Sequence, residues 1–338
     1  MTNPMNSIPD SQIRIAPDVL RDFVSSLALK SGMKTDNAEL LADLLVKNDL
    51  RGVYSHGSRQ IATYARIMRN GSINPNPETH MVSDSLTTFV VDGDGGLGYF
   101  PAYRAAKELI GRCKNNGVAV AVTRNHGHIG AAGLYSRMLA EQGLIGYVTS
   151  GHQLALSPGD SVMRAAGGSP MSFAVPSGNA PDMVLDFGAM HDLYEQSPHV
   201  DELFRLAPGL VFRSMGLGFM CQALGGFLAG VPAEQERAVR QYEGANQGAM
   251  IIALDISRFT PIESFKQEMD AYMRLTQQMQ PMPGYERATL PGVLESERER
   301  EWSAAGIPLD HNHIEILKSI AVELGTELPS GLNAHSDQ

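Results

Sequence analysis

Through the first seventy positions, apolar residues recur at helical spacing. Val19, Leu20, Phe23, Leu27 and Leu29 follow Asp18 in VLRDFVSSLALKSGM. AELLADLLVKNDLRG and RQIATYARIMRNG repeat the rhythm, until Gly71 and the Pro75/Pro77 pair stop the third helix. From residue 86 the pattern shortens into runs rich in β-branched residues. LTTFVV (86–91), VAVAVT (118–123), LIGYVT (144–149), MSFAVP (171–176), MVLDF (183–187) and MIIALD (250–255) are expected strands. Helices are expected between them at 101–113, 131–142 and 215–228, and then at 262–279 and 310–324, with a frayed tail SGLNAHSDQ. The class is mixed α/β, with helices at both ends of the chain.

The 338 residues are 43% hydrophobic, enough for a large core, and 19% charged, which is not a disordered composition. A formal net charge of -10 leaves no cationic excess for nucleic acid, though an anionic small substrate needs only one or two local cations. Cys113 and Cys221 form no CxxC pair, which points to a reducing cytoplasm without a disulfide framework. The start, MTNPMNSIPDSQIRI, lacks a signal-type apolar stretch, and no window reads as a membrane span.

Gly93, Gly95 and Gly98 form a GxGxxG after a strand and before a helix, the setting of a dinucleotide fingerprint. Asp92 and Asp94 flank the first glycine and would repel a pyrophosphate. The favoured reading is a turn that needs positive φ angles.

Several motifs occur together and in order: RGVYSHG (51–57), INP (73–75), VDGDGGLG (91–98), VAVTRNHGHIGAAG (118–133), AEQGLIG (140–146), VLD (184–186), IIALDISRF (251–259), and LPG and GIP at 290–292 and 306–308. In this combination the chain resembles the type-2 malate/L-lactate dehydrogenase family, the sulfolactate, malate and ureidoglycolate dehydrogenases unrelated to Rossmann enzymes. Residues 1–15, polar and Pro-containing, read as a flexible arm; beyond it the resemblance implies a non-Rossmann fold with an N-terminal helical and α/β part (16–125), a shortened inserted cofactor-type domain (126–248) and a C-terminal part (249–330) that packs back on the N-terminal part. It implies a catalytic His128, with His56 as a second catalytic candidate on the substrate side, a residue type whose ordinary pKa suits proton exchange near neutrality. Ser55, Arg59, Gln60, Tyr64 and His126 are implied substrate-side residues, and His152 is a further candidate. Asp186 and Arg213 are implied to hold NAD or NADP, with no metal, since the HxH of His126 and His128 lacks a third ligand at recognisable spacing. The family's members are usually homo-oligomers, so at least a homodimer is expected.

The departures are specific. Gln60 stands where the family has a substrate-gripping arginine, and Arg59 precedes it. Gly168, Ser169 and Pro170 replace a threonine-asparagine-proline turn. Phe187–His191 replace a methionine-alanine-threonine-serine run. A loop at Leu210–Ser214 replaces a glycine-rich one, and Gly248-Ala249 a glycine-histidine pair. Hydride transfer between NAD(P) and a small 2-hydroxy or 2-imino acid is the leading expectation. The alternatives are a cofactor-independent lyase, isomerase or hydrolase with His128 as base, and a noncatalytic relative.

Overall fold

The computed structural model describes residues 13–193 and 197–333. In chain order the elements begin with β1 (Arg14–Ile15), α1 (Pro17–Lys30), α2 (Thr35–Leu50), α3 (Ile61–Arg69), β2 (His80–Asp84), β3 (Thr88–Asp92), α4 (Tyr99–Asn116), β4 (Val118–His126), α5 (Gly133–Ala140) and β5 (Leu144–His152). They continue with β6 (Pro170–Val175), β7 (Met183–Gly188), α6 (Val200–Leu206), α7 (Pro208–Cys221), β8 (Gln247–Asp255), α8 (Ile262–Gln277), α9 (Val293–Ala305), β9 (Ile307–Pro308), α10 (His311–Leu324) and α11 (Ser330–Asn333).

The chain divides into two compact units: residues up to Asn76 together with those from Val293 onward, and residues Pro77–Gly292. The expected inserted stretch 126–248 lies within the second unit, and 249–330 runs through both. Most of the expected arm lies outside the described residues, but its end, Arg14–Ile15, pairs antiparallel with Ile307–Pro308. The tail is not frayed at its start: 330–333 is helical and Leu332 is buried; 334–338 lie outside the described residues.

The first unit is helical because its apolar stripes meet. Leu20, Phe23, Val24 and Leu27 of α1 are buried, as are Leu41, Leu45 and Val46 of α2 and Ile314, Leu317 and Ile320 of α10. Helix α9 was not expected. Its sequence VLESEREREWSAA carries charge all round, and only Val293 and Trp302 are buried.

The second unit holds a seven-stranded sheet in the order β2-β3-β4-β8-β5-β6-β7. Only β3–β4 is parallel among its neighbouring pairs. Alternation along the central strands divides its two faces. Val122 and Met250 cluster with Ala229 and Leu224, while Ala119, Ala121, Ile251 and Ala253 are wholly buried. Following these pairings, β3, β4, β5 and β7 end at one edge of the sheet, where β2, β6 and β8 begin.

Two expectations need correction here. Residues 210–214 are not a loop: α7 starts at Pro208, a residue suited to a first helical position. The helix then runs on through a π turn at Gln222–Gly226 to Ala229. Pro208–Ala229 is long and apolar enough, by length and composition, to cross a membrane, contrary to the expectation of no such window. Its glycines have another use. A Cβ at Gly225 would sit 2.5 Å from the Ser150 backbone, so this stretch lies directly against β5.

Candidate functional site

The strand-end edge of the sheet gathers the chemistry of the second unit. Asp94, Asn125 and Ser169 are the non-glycine residues with positive φ among the described residues, at 50°, 53° and 52°, and all three lie at this edge. Such backbone strain persists only where surrounding contacts impose it, and it collects at functional sites.

The glycine turn is fastened to the segment before His128. Gly93 N–H donates to Arg124 O, Gly95 N–H to Asn125 O and Gly98 N–H to His128 O, at 2.9–3.0 Å, while Gly127 N–H returns to Gly96 O at 2.8 Å. Three glycine N–H groups that would face a pyrophosphate in a dinucleotide fingerprint are therefore taken by protein carbonyls. Asp92 accepts from the Asp94 N–H, Asn125 Nδ2 and Arg124 Nε. Burial opposes its charge, but these three hydrogen bonds hold its carboxyl below the usual range. A Cβ at Gly98 would lie 2.5 Å from Gly127 O and 2.6 Å from His126 Nδ1. The glycines are needed for close approach to the histidine segment.

His126, expected to bind substrate, is placed otherwise. It is fully buried, with Nδ1 2.7 Å from Gly127 O and Nε2 2.8 Å from Thr123 Oγ1. Both contacts suit a neutral ring that donates at Nδ1 and accepts at Nε2, and burial lowers its pKa to about 4. It fixes the turn and has no ring nitrogen left for a substrate. His128, two residues on, is half-buried, with Tyr99 edge-on at 6.5 Å between ring centroids. The segment beyond it is held by Tyr135, whose hydroxyl donates to Ile129 O at 2.5 Å, and by Gly130, whose φ of 77° leaves Tyr99 the space a Cβ would fill.

His126 and His152 both pair in register with Gln247, one on each side of β8. Their backbones therefore stand two strand spacings apart, roughly 10 Å. His152 lines a cleft of ≈ 430 Å³ with Arg164, Gly167, Gly168, Met190 and Leu193. Burial pushes its pKa down. Gln222, on the π turn, clasps the His152 backbone through both ends of its amide. A larger cleft of ≈ 830 Å³ opens beside Arg124, Asn125 and Gln247, but its cations already have carboxylate neighbours, Arg124 with Asp92, Arg237 with Glu234 and Arg240 with Glu243. Asp186 is exposed on β7 and packs over Gly133 at the start of α5. Arg213 is exposed on α7 and lines neither cleft. Among the described residues no three His, Cys, Asp or Glu side chains converge as a metal site.

In the first unit, RGVYSHG holds one short 3₁₀ turn, Tyr54–His56, and the next three residues form a second, Ser58–Gln60, leading into α3. Arg51 anchors it by a two-pronged pair with Glu299 at 2.9 and 3.0 Å. Ser55 Oγ lies 2.9 Å from His56 Nδ1. Burial, then the Arg59 charge, lowers the His56 pKa. Gln60 is turned away from an arginine-like role, since its Nε2 donates to Ser55 O at 2.6 Å. Arg59 has no ion-pair partner among the described residues, yet its charge acts on His56, Asp49 and His313. Tyr64 is buried on α3. Asp49, Ser58 and Arg164 have no distinctive spacing in the sequence that would mark them.

A family model described as malate/L-lactate dehydrogenase matches residues 15–190 and 204–318. The chain is 27% identical to a malate dehydrogenase of Pyrococcus horikoshii, over 95% of this chain and 98% of that one. It is 28% identical to an L-sulfolactate dehydrogenase of Methanocaldococcus jannaschii, over 95% and 97%. The solved structure of the Pyrococcus horikoshii malate dehydrogenase superposes with a TM-score of 0.82 at 26% identity, covering 95% of this chain and 98% of that one.

Proposed function

The chain belongs to the malate/L-lactate dehydrogenase family, and on that premise we propose that it moves a hydride between a nicotinamide nucleotide and the α-carbon of a small 2-hydroxy or 2-imino acid, with His128 exchanging the proton. The supporting observation is the placement of His128, half-buried on a segment whose backbone is tied to the glycine turn, at the same sheet edge as the His152 cleft. Family membership favours this reading over a cofactor-independent lyase, isomerase or hydrolase and over a noncatalytic relative.

The His152 cleft fits the ring end of the cofactor. Met163, Met190 and Leu193 offer an apolar wall, His152 and Arg164 offer polar groups, and Gly168 leaves open space out to 3.9 Å. When bound, the nicotinamide ring supplies the acceptor or donor of the hydride. Asp186 is the proposed partner of a ribose hydroxyl and Arg213 of a phosphate.

In the oxidising direction neutral His128 takes the substrate's hydroxyl proton, and in reduction the imidazolium returns it. Arg59 holds the substrate carboxylate. Ser55 and His56, already hydrogen-bonded to each other, orient the polar end of the substrate. Gln60 supports Ser55 rather than the substrate. We also propose a homodimer in the cytoplasm. The exposed apolar residues Leu210, Phe212, Phe227 and Leu228 along α7 and its extension are a surface that association would cover.

The test is nicotinamide fluorescence during titration with NADH and NADPH, followed by assay of malate, lactate, sulfolactate and a cyclic imino acid. Binding of one cofactor and turnover of one acid are expected. Failure of both cofactors to bind at about 1 mM, an affinity of only ~4 kcal/mol, would sink the redox reading.

A further inference from the structure

Beneath the 54–60 turn lies a buried carboxyl that the proposed chemistry does not use. Asp49, near the end of α2, is 0% exposed. Its Oδ2 accepts the Ser58 N–H at 2.8 Å, whereas Oδ1 has no hydrogen-bond partner among the described residues. Gly57 passes so close that a Cβ there would stand 1.7 Å from Oδ1. Two further bonds continue outward from this seat. Asn48 Nδ2 donates to His56 O at 2.8 Å, and the Ser58 hydroxyl meets His313 Nε2 on α10 at 2.8 Å. Ser58 and His313 are themselves buried.

A buried carboxyl oxygen without a donor is costly, and a well-packed apolar residue would ordinarily be cheaper in stability. Asp49 is therefore in a poor position to be explained by stability alone. Its direct attachments are to the turn that carries Ser55 and His56. We propose that Asp49 is the positioning residue of the Ser55–His56 pair: its carboxyl is the seat on which Gly57 and Ser58 are registered, and the Ser58–His313 bond braces that seat from α10. This rests on the reading of Ser55 and His56 as substrate-side residues. Burial pushes the Asp49 carboxyl up to about 7, opposed by the Ser58 hydrogen bonds and the Arg59 charge. The other titratable groups of this cluster are Tyr54, which feels the charges of Asp49, Arg298, Asp310 and Arg14, and His313, which feels those of Asp310 and Arg59. Near neutrality the seat exists in both protonation forms, and asparagine copies the neutral one.

The test uses the full chain, with ¹³C-labelled histidine and the His56 ring signal assigned by its loss in His56→Gln. Asp49→Asn still accepts the Ser58 N–H. At pH 6 its His56 signal is expected to overlay that of the wild type, with KM within about threefold. Asp49→Ala is expected to move that signal and to raise KM about tenfold or more, with a smaller change in kcat. The wild-type His56 signal is expected to show an inflection near neutrality that Asp49→Asn lacks, a comparison that survives if the alanine variant does not fold. An unmoved His56 signal and KM in Asp49→Ala, equal damage in Asp49→Asn, or no neutral inflection in the wild type would overturn the proposal. Absence of turnover with every 2-hydroxy acid would instead count against the proposed reaction, leaving the His56 signal to decide the role of Asp49.

Discussion

Gly98 donates its backbone N–H to the carbonyl of His128 at 3.0 Å, and the space where its Cβ would stand is filled by His126 and Gly127. The glycine turn and the proposed acid/base are thus one mechanical piece. Gly98→Ala should overpack this junction, costing about 1–3 kcal/mol of stability. It should also lower kcat by displacing His128. Denaturant midpoints and initial rates on the same preparation check both, and a variant with wild-type stability and rate would contradict the coupling.

His128→Gln keeps a polar side chain of similar reach but cannot exchange a proton near neutrality. The expected loss in kcat is about 10²–10⁴-fold. NADH affinity, read by fluorescence, should stay within about threefold of wild type, because binding does not need the proton. A comparable loss of cofactor affinity would make His128 a binding residue.

Arg59→Met removes the cation of the 3₁₀ turn that has no ion-pair partner among the described residues, while keeping a long side chain. KM for a carboxylate substrate is expected to rise by more than about tenfold, since a charged hydrogen bond contributes roughly 1.5–3 kcal/mol. Arg59→Lys should recover only part of this, as lysine lacks the planar two-pronged donor. If Gln60→Ala raises KM more than Arg59→Met does, the assignment of the clamp is reversed.

The buried histidines set a pH dependence of stability. His126 and His313 are each lowered by burial from 6.5 to about 4. Between those values the unfolded chain binds more protons than the folded one, so their contribution is present above pH 6.5 and is lost as the pH falls toward 4. Each shift corresponds to about 3 kcal/mol. Asp49, raised from 3.8 to about 7, acts in the opposite sense, with its contribution lost as pH rises between those values. Replacing His126 with glutamine should flatten the fall in guanidinium midpoint from pH 6.5 to pH 4.5. An unchanged slope would show that His126 is not the neutral, buried ring described above.

Gly168→Leu places a branched side chain in the open part of the His152 cleft. Affinity for NADH should fall at least about tenfold while the unfolding midpoint moves little, the mark of a blocked pocket rather than a damaged core. Unchanged fluorescence enhancement would place the ring elsewhere.

Much of the fold was legible because it rests on periodicity. The stripes of α1 and α2 and the short β-branched runs of β4 and β8 are written residue by residue. Helix α9 was hidden because charges surround it, and the first turns of α7, ahead of the helix expected from Met215, because a Leu-Val-Phe run beside proline and glycine resembles a remodelled loop. Within the candidate site, motif context drew attention to His128 and His56. It placed His126 on the substrate side as well, because its burial and the Thr123 and Gly127 contacts that take both ring nitrogens are not encoded in the HxH spacing. Asp49 was illegible for the same reason: an acidic residue on an amphipathic helix gives no sign that it points beneath a turn.

The pairing of Arg14–Ile15 with Ile307–Pro308 has a consequence for the order in which the chain matures. During synthesis the sheet of the second unit has all seven strands once residue 255 has emerged. The first unit must wait with α1–α3 already made until α9 and α10 arrive about 280 residues or more after β1, so that its apolar stripes are the last to be covered. A nascent chain halted near Gly292 would carry a sheet able to close and three helices without their partners, and those helices are where chaperones should be found bound.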